Sequence, residues 1–173
     1  MKNLFVIATV SVAFIIASPV VQAASFTFST NLNGASQVPP NASPATGFGS
    51  LVLDDVAMTI TVNESWSGLL APATASHIHM PALPGANAGV VFGFVGVPNV
   101  SSGAILQQVF AVTPARITQF WQGLAYMNIH TSTFPGGEIR GQLVTPEPSS
   151  LLILAGLVVP AVSGIIRRNR SLR

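Results

Sequence analysis

Between Ser25 and Val144 the apolar residues fall in short runs with a two-residue period, and each run stops at Gly, Pro, Asn or Asp. A two-residue period belongs to a strand with one buried face, and the interruptions are turn chemistry. No 3.6-residue repeat runs through this stretch, so the chain is read as all-β. The runs predict strands over Ser25–Leu32, Gly47–Leu53, Val56–Asn63, Ala73–Met80, Gly89–Val95, Ala104–Phe110, Leu124–Thr131 and Glu138–Val144, with Asp54-Asp55 as a hairpin turn. One short helix is expected, with Thr113 as N-cap, Pro114 at its first position and Gly123 just past its end. The expected architecture is a Greek-key-like β-sandwich of about eight strands.

The two ends read differently. Lys2, an apolar run from Leu4 to Ile16, and Val21-Gln22-Ala23 before Ala24 have the layout of a secretory signal peptide over residues 1–23. At the other end, Pro146-Glu147-Pro148 leads into the uncharged run Leu151–Ile166, followed by Arg167, Arg168 and Arg170. As a helix that run reaches ~24 Å, short of a ~30 Å hydrocarbon core. The expected domains are therefore the signal at 1–23, a body at 24–145 and a sorting tail at 146–173. The tail is expected to lie in the membrane transiently through 151–166.

Charge then has a simple explanation. The whole chain carries a formal +2 and a pI near 10. Five of its seven basic residues lie in the two end segments. The body keeps only Arg116, Arg140, Asp54, Asp55, Glu64 and Glu138, a net −2. A basic face for nucleic acid is therefore excluded. The absence of cysteine excludes disulfides, thiolate metal sites and a cysteine nucleophile. No phosphate-binding glycine loop and no G-x-S-x-G elbow is present. No catalytic set is assigned.

The candidate chemistry lies in three histidines, His77, His79 and His130. His77 and His79 are two apart on a predicted strand and so point to one face, away from Ile78 and Met80. On the next two strands Tyr126, Asn128 and His130 oppose Met127 and Ile129, and Glu138, Arg140 and Gln142 oppose Ile139 and Leu143. A hairpin turning through Phe134-Pro135-Gly136-Gly137 is expected to bring His130 near Glu138. If the His77/His79 strand lies beside it, the three imidazoles form a ligand set for one Zn(II) or Cu(II) ion. Asn128 and Glu138 would then orient the ligands from behind. Histidines that only hydrogen-bond to neighbours and brace loops are the simpler alternative. Arg140 beside Glu138 is read as a structural pair.

Two family resemblances follow from these residues. The Pro-Glu-Pro triplet, apolar run and arginine cluster resemble a PEP-CTERM sorting signal. That resemblance implies an exosortase-like membrane protease as partner, loss of the tail, and delivery to the cell surface or an exopolysaccharide matrix. The body resembles the CHRD domain in Leu32–Pro40 with Pro44-Ala45-Thr46-Gly47, in Ala75-Ser76-His77-Ile78-His79, and in Ala125–Thr131 with Phe134–Leu143. It departs at Met80-Pro81, where the family often has Gly after the second histidine. The CHRD resemblance implies an all-β extracellular module without an established activity, for which protein binding is plausible. The His-x-His layout is also similar to copper-zinc superoxide dismutase, though three histidines support at most one metal site. Two functions are thus expected: a non-enzymatic binding or structural module of the surface or biofilm matrix, touching exopolysaccharide or surface proteins, or a mononuclear Cu/Zn protein.

Overall fold

The first three strands each bury the face that their alternation marks as apolar. Phe28 and Leu32 point inward from the first strand, Leu51 and Leu53 from the second, and Ile60, Val62 and Trp66 from the third. The computed structural model describes residues 25–144. Its elements are β1 (Ser25–Asn33), β2 (Thr46–Asp54), β3 (Thr59–Ser67), β4 (Ala73–His79), β5 (Val90–Gly93), β6 (Gly103–Ala111), α1 (Pro114–Trp121), β7 (Tyr126–Thr131) and β8 (Ile139–Gln142). The proposed signal and sorting segments lie outside the described residues. Among the described residues no helix is long and apolar enough to cross a membrane.

All eight strands join one antiparallel sheet in the order β5-β4-β7-β8-β1-β2-β3-β6. The seam between its two four-stranded halves is short: Asn33 pairs with Arg140, and Ser29 bridges to Val144. The halves fold face to face, as contacts between non-neighbouring strands show. A side chain at Gly49 on β2 would run into Met127 on β7, and Ser76 on β4 bonds to Glu64 on β3. At the far side the amide of Gln108 on β6 clamps the backbone of Val95 just beyond β5, accepting from its N–H at 3.0 Å and donating to its carbonyl at 2.6 Å. The sheet is therefore nearly closed, which removes most of the exposed strand edge.

The helix forms as its signals dictate. Thr113 Oγ1 accepts from the Arg116 N–H, Pro114 needs no partner at the first turn, and Gly123 leaves with φ +67°. The helix buries Phe120 against Phe28 and Phe92, with ring centroids 5.9 and 6.4 Å apart.

One expectation needs correction, and one feature is not determined by the sequence. The β2–β3 hairpin does not turn on Asp54-Asp55 alone. Asp54 Oδ1 accepts from the N–H groups of Val56 and Ala57, and Met58 has φ +55°, so β3 starts at Thr59 rather than Val56. The polar face of β7 and β8 is also not open to water. Asn128, Glu138 and Arg140 are buried because two loop segments lie over it. Gln37 and Asn41 bond across from one loop, and Ala82, Ala86 and Asn87 from the other.

Candidate metal centre

The antiparallel register of β4 and β7 sets the site. Ala75 pairs with His130, His77 with Asn128 and His79 with Tyr126. His130 therefore stands diagonally beside His77 on the same face, while His79 follows two residues along. The ring centroids lie 5.0 Å (His77–His130), 5.6 Å (His77–His79) and 6.1 Å (His79–His130) apart. One nitrogen from each ring can be chosen so that all three lie within 4.8 Å of one another. Tetrahedral zinc with ~2.0 Å bonds to nitrogen needs donors about 3.3 Å apart.

The loops fix which nitrogen is free. The carbonyl of Ala88 accepts from His79 Nδ1 at 3.0 Å, and that of Pro135 accepts from His130 Nδ1 at 2.9 Å. A carbonyl only accepts, so both Nδ1 atoms carry the proton, and in the neutral ring Nε2 keeps its lone pair. Those two Nε2 atoms are buried and have no hydrogen-bond partner, and neither does buried His77 Nδ1. Three orphaned imidazole nitrogens in one cluster are unusual, because buried polar atoms are almost always paired.

Electrostatics favours the neutral form of two of the rings, His77 and His79. Burial, with the neighbouring His130 and His79 rings adding to it, pushes the His77 pKa from 6.5 down to about 4. Burial also lowers His79, and its Ala88 bond offsets this only in part. Neutral His77 and His79 rings present lone pairs to a metal without first losing protons.

The residues expected to orient the ligands do something else. Glu138 accepts from Ser43 Oγ (2.7 Å), the Leu70 N–H (2.8 Å) and Thr131 Oγ1 (2.7 Å), and bonds to no histidine. Asn128 accepts from Gln37 Nε2 at 2.7 Å and donates weakly to Gly136 O. The hairpin does bring Glu138 close to His130 in the backbone, but its side chain turns to Ser43 in the loop before β2 and to Leu70 in the loop between β3 and β4. Nor do Glu138 and Arg140 pair with each other. The orienting groups are the Ala88 and Pro135 carbonyls, which carry no sequence signal. Tyr126 is a further neighbour: its ring stacks on His79 with centroids 4.7 Å apart and planes 2° from parallel.

No curated protein and no solved structure matches the chain. The CHRD domain does match, over residues 28–143, from β1 through the end of β8 and across all three histidines. With two thirds of its length inside that match, the chain belongs to the CHRD domain family.

Proposed function

We propose that this protein is an exported CHRD-type binding module that holds one transition-metal ion through His77, His79 and His130. The convergence of three imidazoles, each with one unpartnered buried nitrogen, is the observation that supports it. Three neutral nitrogen donors suit Zn(II) and Cu(II), and the Irving–Williams order favours Cu(II). Three protein ligands also leave a coordination position open for a further ligand from outside the chain. The signal-like residues 1–23 and the PEP-CTERM-like tail support export, trimming by an exosortase-like protease and residence at the cell surface or in its matrix. Exopolysaccharide or other surface proteins are the partners that this location suggests.

The test is elemental analysis of the full chain after chelation, reloading with zinc or copper, and desalting. One equivalent is expected, and His77→Ala should retain far less. Less than about a tenth of an equivalent from the folded protein would refute the metal site. The histidines would then serve as braces through Ala88 and Pro135, leaving a metal-free binding module. Mass spectrometry of the protein from its native host is expected to find a chain that ends before the apolar run at 151–166; an intact C-terminus would refute the sorting proposal.

A further inference from the structure

Arg140 is only 2 % exposed, yet among the described residues no carboxylate neutralises it. A buried charge is ordinarily paired. The four acids of the described residues are engaged or distant: Asp54 caps its turn, Asp55 is exposed, Glu64 bonds to Ser76, and Glu138 bonds to Ser43, Leu70 and Thr131. Arg140 instead donates to two neutral acceptors, Asn87 Oδ1 at 3.0 Å and Ala86 O at 2.7 Å, and lies 3.4 Å over the Tyr126 ring. Those contacts orient the guanidinium but bring no negatively charged group to it.

Arg140 lines a cavity of about 350 Å³ together with Ser36, Gln37, Val38, Pro84 and Gln142. That volume is at the lower end of sites that enclose small molecules. The Nε2 of Gln142 gives one hydrogen each to Ala82 O (2.9 Å) and Gly123 O (2.6 Å), which pins that side chain in the cavity wall. The cavity thus offers one cation without an anionic partner, the exposed Ser36 hydroxyl, and apolar surface from Val38 and Pro84.

We propose that this cavity binds a small hydroxy-carboxylate, with a sugar acid as the representative ligand. Its carboxylate meets Arg140, a hydroxyl meets Ser36 Oγ, and its carbon skeleton lies against Val38 and Pro84. The anion neutralises a cation that the fold otherwise buries alone, and guanidinium and carboxylate are well matched in shape. The site takes none of the three histidines as a ligand contact, and Tyr126, which touches both Arg140 and His79, separates the two.

Calorimetric titration of the metal-free full chain with galacturonate, galactose and sulfate tests the inference. Galacturonate is expected to bind saturably, with galactose and sulfate at least about tenfold weaker. Arg140→Gln should abolish the difference between galacturonate and galactose. Ala35→Glu should also abolish it, because it sets a negative charge at an exposed position on the cavity wall and leaves the core untouched. Should Arg140→Gln fail to fold, Ala35→Glu with unchanged melting decides. Equal binding of galactose would overturn the charge argument, and equal binding of sulfate would overturn the hydroxy-acid argument. Undiminished galacturonate binding in Ala35→Glu would place the ligand elsewhere.

Discussion

Replacing Glu64 by glutamine should make the protein more stable at alkaline pH. Glu64 points from β3 into the space between the two halves of the sheet, 2 % exposed, with Oε1 unpartnered. Its Oε2 lies 2.5 Å from Ser76 Oγ, which also lies 3.2 Å from the carbonyl of Asn128. The serine hydroxyl has one hydrogen and two acceptors facing it. Both contacts are satisfied if Glu64 is protonated and donates to Ser76, which then donates to Asn128. Burial accordingly raises the Glu64 pKa from 4.5 to about 7, with the serine bond opposing.

Below pH 4.5 the carboxyl is protonated in both folded and unfolded chains and has no pH-linked effect. Between pH 4.5 and about 7 the unfolded chain loses its proton first, so stability falls as pH rises. Above pH 7 the loss levels off at about 3 kcal/mol, from roughly 1.4 kcal/mol per pH unit. In Glu64→Gln the amide keeps a donor for Ser76 and cannot ionise. Urea or thermal melts from pH 4 to 8.5 should therefore show a gap between variant and wild type that opens above pH 4.5 and stops widening above about pH 7. At pH 8.5 the variant should have gained about 10 °C in melting temperature over the wild type, relative to their difference at pH 4. Parallel pH profiles for the two proteins, or a difference that narrows from pH 5 to 8, would refute a protonated buried Glu64.

Named contacts give three more expected outcomes. Zinc at about a hundred times its dissociation constant should stabilise the folded chain by about 2.7 kcal/mol, and His130→Ala should remove that increment while the metal-free melting point changes little. Gly141→Ala should cost about 2 kcal/mol in urea melts, because a Cβ there meets the Asn31 carbonyl and Thr30 at the β8–β1 seam. Thr113→Ala should cost about 1 kcal/mol by removing the cap on the Arg116 N–H, with no effect on metal loading.

Local signals were enough wherever the physics is local. Period-two alternation marked the strands, and it placed His77 and His79 on one face because successive side chains of a strand point to opposite sides. Thr113, Pro114 and Gly123 bounded the helix because capping needs only neighbouring residues. The same alternation put His130, Asn128 and Tyr126 together on β7. It could not say that β4 lies beside β7, since β5, β6 and α1 intervene in the chain.

What the sequence alone determined was an all-β body with few charges, two distinct ends, and histidines sorted onto one face of each strand. The tertiary structure decided the rest, because it depends on pairing between distant segments. Register brought three imidazoles together and let the carbonyls of Ala88 and Pro135 choose the tautomers of His79 and His130. Loops crossing the polar face buried Arg140 and turned Glu138 away from the histidines. Packing of one half of the sheet on the other enclosed Glu64. Backbone carbonyls and burial have no letter in the sequence, so the chemical state of each titratable group emerged only when the chain had folded around it.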